Sequence, residues 1–421
     1  MNEFLLLIPA FLLILILKNK KNVLALVPLV FYALGAIVGY VMTFNPVYPS
    51  SVNNGHQMPS ITANVFLIIC LFISFRPIIK STVNDIRAFD INMDNLYAFS
   101  YFLMVISIFY VIWMAPHVTE GINAIGDITE YKNSVSEEGM TFAKQSPLVG
   151  WLLSIQVALR PIIVFLFCLS LCNKRTAGFY RLMMAIIALI PPVVQVMATA
   201  YRNELVFTGV NFFICYLFFR NHYTKKTRRT FIYSILGLFS SLVLFLIVFI
   251  AVLRFGEGGN DYVLFSLERY MGEPFLNFNT MLWGEDTLLW GNKSFVVIRK
   301  YLGLSFIDPR QIKDYDYMLG YQYNYFYSFI GNFYMDFGWG GAIITCSLFT
   351  LLVRTVQKSF ARRNLSMSLN VFNYIYITII LRSYFYFVYT GYNFFSLIFL
   401  ILGFLFCHYY IFNRVRTRRR I

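Results

Sequence analysis

Residues 231–260 read FIYSILGLFSSLVLFLIVFIAVLRFGEGGN. The stretch from Phe231 to Leu253 carries no charge and is longer than the roughly 20 apolar residues that a helix needs to cross a hydrocarbon core about 30 Å thick. At Arg254 the character changes, and the chain stays polar until about Tyr325. Working outward, runs of similar apolarity recur at 3–17, 22–43, 61–79, 96–116, 150–172, 182–200, 205–219, 328–353, 369–389 and 394–412. With 231–253 these make eleven expected spans. The fold class expected is an all-α polytopic membrane protein, one integral membrane domain over 1–421. Within it, 254–325 is a long outer loop, 117–147 a second one, and 413–421 a basic tail. Composition agrees: 58% of residues are hydrophobic and 13% charged, against about 25% charged in a soluble domain.

The net charge of +15 does not point to nucleic acid, because the basic residues stand in short clusters between apolar runs, as topology signals do. Alternate loops hold Lys18, Lys20 and Lys21; Arg76, Lys80 and Arg87; Lys174, Arg175 and Arg181; and further clusters at 220–229, 354–363 and 414–420. Short cytoplasmic loops retain such residues, which places the C-terminus in the cytoplasm, the N-terminus outside, and 254–325 outside. The five tryptophans, Trp113, Trp151, Trp283, Trp290 and Trp339, then all fall on the outer side, at headgroup level or in outer loops. The first apolar run follows Glu3 and precedes a lysine cluster, the reverse of a cleavable signal peptide. All six cysteines lie in apolar runs, so no outer disulfide is expected.

Ionisable groups inside spans are costly and mark functional positions by default. Arg160 in VALRPIIV and Arg382 in IILRSYF stand within apolar runs, Arg202 in the turn TAYRNEL, Arg254 at the end of the eighth span, and Arg269 in SLERYMGEPFLNFN. On the expected topology Arg382 lies about 10 Å below the outer end of its span. Arginines gathered near one depth suit a phosphate, which their planar fork grips with paired, charge-assisted hydrogen bonds. The bland alternative is snorkelling or local pairing, as of Arg202 with Glu204. Among the outer carboxylates, which include Glu268, Glu285 and Asp286, Glu273 and Asp336 stand among apolar and aromatic residues that would raise their pKa. They are the candidate bases for removing a proton from an acceptor hydroxyl. The stretch 255–325 also carries sixteen Phe, Tyr and Trp residues, whose faces suit either sugar rings or the membrane interface. Tyr270, beside Arg269, and Tyr334 are candidate substrate contacts of this kind. None of the four histidines falls in the long loop, and no metal site is expected.

Three segments together carry a resemblance: GNFYMDFGWGGA (331–342), ATAYRNELV (198–206) and ERYMGEPFLNFN (268–279). They look like parts of the O-antigen polymerases, the Wzy-type polymerases of oligosaccharide repeat units. The resemblance covers most of the chain in architecture and about forty residues in motif. It implies a fold resembling the C-type glycosyltransferases, with no metal or other cofactor. It also implies undecaprenyl-diphosphate-linked oligosaccharides as donor and acceptor, polymerised at the outer face of the bacterial cytoplasmic membrane. A flippase and a chain-length regulator are the implied protein partners. By position, Arg202 matches an arginine that opens a span, Arg269 a late-loop arginine, and Tyr334, Asp336 and Gly338 a Tyr-x-Asp-x-Gly stretch, with its glycines assigned to close helix packing. The pattern departs where the family places glycine eleven positions after an arginine; Arg310 to Gly320 is one residue short.

Such a reaction also fits the topology: outside the cytoplasm no nucleotide-sugar is available, and a diphosphate-linked donor arrives activated. The nearest alternative is an O-antigen ligase, which is expected to use a histidine in its long outer loop. An alternative of another class is a lipid-linked oligosaccharide flippase or other transporter, which would line a path across the whole bilayer; here the charges cluster on one side and no internal repeat is evident.

Overall fold

The computed structural model describes residues 2–18, 23–45, 59–81, 91–123, 147–173, 176–199, 203–237, 260–305, 326–363, 365–385, 387 and 393–412, with isolated helical positions between 240 and 252. Every regular element among the described residues is helical. Among the described residues, seven helices are long and apolar enough to cross a membrane: Leu24–Met42, Ile61–Lys80, Met93–Gly121, Ser154–Cys172, Gly178–Ala198, Ser328–Arg362 and Phe394–Ile411. Glu3–Ile14 and Glu204–Phe219 are shorter apolar helices. The chain is thus a helical, multi-pass membrane protein. Of the expected eighth span, the π-helical Phe231–Gly237 is seen, and most of 238–253 lies outside the described residues. So do 306–325, most of the expected outer loop 117–147, and the 413–421 tail.

Three boundaries differ from expectation. The helix expected to end at 116 runs on to Asn123, because apolarity marks the part that enters lipid and polar residues continue a helix into water. His117 and Glu120 pair across one of its last turns at 2.9 Å. The expected loop from Arg254 is helical from Asn260 to Asn277 and continues as a π-helical turn, Phe278–Leu282. Its C-terminal half is core: Phe275, Leu276, Phe278 and Leu282 are buried. Finally, the tenth expected span ends as a helix at Arg382 rather than 389.

The described residues form two compact units. The first comprises Met1–Val83, Phe255–Ser359 and Ile379–Phe394. In it the Val23–Met42 helix packs against Asn260–Asn277 and Leu7–Lys18. The first of these contacts is made backbone to backbone. A Cβ on Gly272 would stand 2.7 Å from the Gly39 nitrogen, and one on Gly39 would stand 2.9 Å from the Gly272 carbonyl oxygen. One turn earlier, Gly35 leaves the space that the Tyr384 hydroxyl fills as it donates to the Met271 carbonyl. Gly35 and Gly39 make a G-x-x-x-G pair, the spacing that lets helices in lipid approach closely. Tyr32, buried in the same helix, donates to the Ile380 carbonyl at 3.0 Å. Pro77 lacks the N–H that would bond the Ile73 carbonyl, and the hydroxyl of Thr350 supplies it at 3.0 Å.

The second unit comprises Asn84–Arg254, Phe360–Thr378 and Phe395–Ile421. Its centre is the Pro147–Cys172 helix, packed against Met93–Asn123, Gly178–Thr199 and Asn203–Phe219. Tyr374 donates to the Pro161 carbonyl at 3.0 Å, and Thr378 to the Asn211 side-chain carbonyl at 2.9 Å.

Candidate functional site

Two helical pieces of the first unit carry Arg269, Glu273, Tyr334 and Asp336. On the Asn260–Asn277 helix, Arg269 and Glu273 lie one turn apart, so their side chains meet. The guanidinium donates from Nε to Oε2 at 3.2 Å and from Nη2 to Oε1 at 3.1 Å. Glu273 is 4% exposed at its side chain and Arg269 41%. A buried carboxylate therefore fixes the plane of a guanidinium that reaches the surface, with the Phe265 ring 5.9 Å from its carbon. The neighbouring Glu268 accepts from the Asn45 amide at 3.0 Å. Partial burial pushes its carboxyl above the usual range, against the lowering effect of that hydrogen bond. With both oxygens of Glu273 committed to Arg269, Glu268 is the carboxylate of this helix better placed to exchange a proton.

The second piece is the start of the Ser328–Arg362 helix, which is broken at Gly338, where φ is 68° and ψ −173°. Here the Tyr-x-Asp-x-Gly stretch acts as a fastening. Asp336 is fully buried; its Oδ1 accepts the Lys293 N–H and its Oδ2 the Ser294 N–H, both at 2.8 Å. The N–H groups of Leu289 and Trp290 donate to the carbonyls of Met335 and Asp336 at 2.9 Å. The Tyr334 hydroxyl accepts the Gly284 N–H at 3.1 Å, and its ring packs with Phe66, Phe278 and Trp283. Segment 284–294, turned by positive φ at Gly284, Trp290 and Gly291, is thereby held to the helix.

Asp336, expected as a base, has both oxygens engaged by backbone donors and no exposed surface; its geometry is that of a positioning residue. Tyr334, expected at the substrate, likewise holds the chain at Gly284. Gly338 serves conformation rather than helix packing, since only glycine adopts its positive φ freely. Gly331 does serve packing, with Leu282 and Phe278 side-chain atoms within 3.2 and 3.4 Å of where its Cβ would be. Replacing Asp336 with Asn puts an NH2 where a backbone N–H must be accepted and removes a charged acceptor. The expected cost is about 3 kcal/mol, seen as a lower Tm and as new protease cleavage within 284–294.

The other expected residues fall as follows. Arg382 is buried and is the last residue of its helix, where a cation meets the negative end of the helix dipole. Arg160 lies in the second unit. It donates from Nη1 to Glu204 at 3.0 Å and from Nη2 to Gln195 at 2.9 Å. Glu204, the carboxylate weighed as a partner for Arg202, pairs with Arg160, 44 positions away in sequence. That buried ion pair matches a charge that no sequence neighbour matched, which is why the sequence left Arg160 looking alone. Arg202 and Arg254 lie outside the described residues, as does the side chain of Tyr270. The structure thus joins Arg269 to Glu273 and groups Tyr334 with Asp336, without showing one cluster of five arginines. Sequence reasoning missed Asn45, Gln195 and the glycine contact, although the spacing of GAIVG (35–39) carries a signal for the last.

No protein-family model matches this chain, and neither curated proteins nor solved structures provide a match.

Proposed function

We propose that this protein is a glycosyltransferase that joins undecaprenyl-diphosphate-linked oligosaccharide repeat units into a surface polysaccharide. In this reading the chain crosses the bacterial cytoplasmic membrane eleven times in a C-type glycosyltransferase arrangement. The N-terminus is outside, the C-terminus cytoplasmic, and the reaction runs at the outer leaflet. The observation that carries the reading is the Arg269–Glu273 pair: a guanidinium oriented by a buried carboxylate, partly exposed, on a helix docked glycine to glycine against its neighbour. A preset cationic fork of this kind suits a diphosphate whose charge grows as it leaves.

The acceptor hydroxyl oxygen attacks the anomeric carbon of the donor, and the bond from that carbon to the diphosphate oxygen breaks. The electron pair departs on the diphosphate, where Arg269 meets it, and the hydroxyl proton passes to Glu268. The buried Arg382 belongs to the same unit and is a second binding group; Arg202 keeps the place that the resemblance gives it, and Arg254 and Tyr270 the substrate-binding roles read from their positions in the sequence. Arg160 is neutralised by Glu204 and acts within the fold.

A base must be ionised to work, so the rate rises with pH through the raised pKa of Glu268. Glu268→Gln is expected to abolish that acid limb and lower kcat roughly 100-fold, read from initial rates of chain extension across pH. The reading as a whole is tested by the surface glycan of a deletion strain, sized by electrophoresis. Single capped repeat units are the expected result. Lipid-linked polymer accumulating without transfer would instead indicate a ligase, and unextended units trapped on the cytoplasmic face a transporter.

A further inference from the structure

The piece 328–337 is clamped at both ends. Its first N–H groups donate to the carbonyls of Phe385 and Ser383 at 2.9 and 3.0 Å, and its last turn holds segment 284–294 through Asp336. Between the clamps lies Asn332, one turn before Asp336 on the same face and 1% exposed. Neither its amide nitrogen nor its carbonyl oxygen has a hydrogen-bond partner among the described residues. The Ser383 hydroxyl, in the segment that caps this piece, is buried and also has none among the described residues. Burying a polar group uncompensated costs about 1–3 kcal/mol, and native proteins fill such places with ordered water or ligand atoms.

The amide selects the chemistry of what fills it. It presents donors and an acceptor side by side, and a hydroxyl oxygen matches both at once, whereas a phosphate only accepts and an ammonium only donates. We propose that Asn332 binds a hydroxyl group, from an ordered water in the resting protein or from a sugar ring of the acceptor glycan. The second source rests on the glycan-transfer reading; the first does not.

Full-length protein in lipid nanodiscs is compared as wild type, Asn332→Leu and Asn332→Ser. Thermal unfolding is read without substrate, and chain extension with lipid-linked acceptor. A sugar-hydroxyl site raises the acceptor KM of Asn332→Leu about tenfold or more at nearly constant kcat, and Asn332→Ser recovers part of the loss. A water site leaves KM unchanged and lowers the Tm of Asn332→Leu, again with partial recovery by Ser. A Leu variant with unaltered KM and an equal or higher Tm overturns the assignment, because the amide then binds nothing. If wild-type protein extends no chain, the glycan-transfer reading fails. The unfolding comparison then decides alone: a lowered Tm supports the hydroxyl site and a raised one overturns it.

Discussion

Gly272→Val is expected to remove most of the folded protein. At the crossing of the Val23–Met42 and Asn260–Asn277 helices, a Cβ on Gly272 would lie 2.7 Å from the Gly39 nitrogen and 2.8 Å from its Cα. Those atoms are backbone, so no rotamer change relieves the overlap and the helices must separate. Overpacking of this kind costs about 3 kcal/mol at the upper end of its usual range, a large fraction of the total stability of a domain. Separation would also break the Tyr384 bond to Met271 and displace the helix that carries Arg269 and Glu273. The measurement is the monodisperse yield after detergent extraction, together with Tm. Gly340→Ala is the control: nothing stands within 4 Å of where its Cβ would be, and helix propensity predicts a gain of about 0.5–1 kcal/mol. Equal yields for Gly272→Val and wild type would mean that the two helices do not meet backbone to backbone.

Arg269→Lys is expected to cost chain extension roughly 100-fold or more while barely moving Tm. Lysine keeps the charge next to the buried Glu273, so no carboxylate is left uncompensated, and the partly exposed position limits any loss of stability. What lysine lacks is the planar fork that holds the two oxygens of Glu273 along one edge while remaining partly exposed. Surface glycan length in cells, checked against protein level in the membrane, reads the effect. Full-length glycan in that variant would remove Arg269 from the reaction. Arg269→Ala would test the same role less cleanly, since it strands the Glu273 charge and destabilises the fold at the same time.

Local composition made much of the architecture legible. Ten of the eleven apolar runs coincide with helices along most of their length, because a segment that enters lipid must satisfy its backbone internally and a helix does so from its own residues. Where the reading failed, the cause was equally physical. Asn260–Asn277 contains Asp261, Glu268, Arg269 and Glu273, and hydropathy reads such a segment as loop. It is a helix because Gly272 lets it dock on Gly39, while Arg269 pairs with Glu273 one turn on and Glu268 accepts from Asn45. The site shows the same division. The pairing of Arg269 with Glu273 needs only the four-residue spacing of a helix. The pairing of Arg160 with Glu204 and the hold of Asp336 on residues 293 and 294 link positions 44, 43 and 42 apart, distances at which sequence pattern carries no contact information.

The sequence by itself determined that this is a helical membrane protein with its suspicious charges on arginines and carboxylates, because apolar length and charge placement are local properties. Only the tertiary structure decided which of those charges are spent on the fold. Asp336 and Tyr334 fasten segment 284–294, Arg160 balances Glu204, and Arg269 has a guanidinium that is both oriented by a buried partner and partly exposed. A carboxylate becomes a fastener or a base according to which donors stand within about 3 Å of it, and those donors come from elsewhere in the chain.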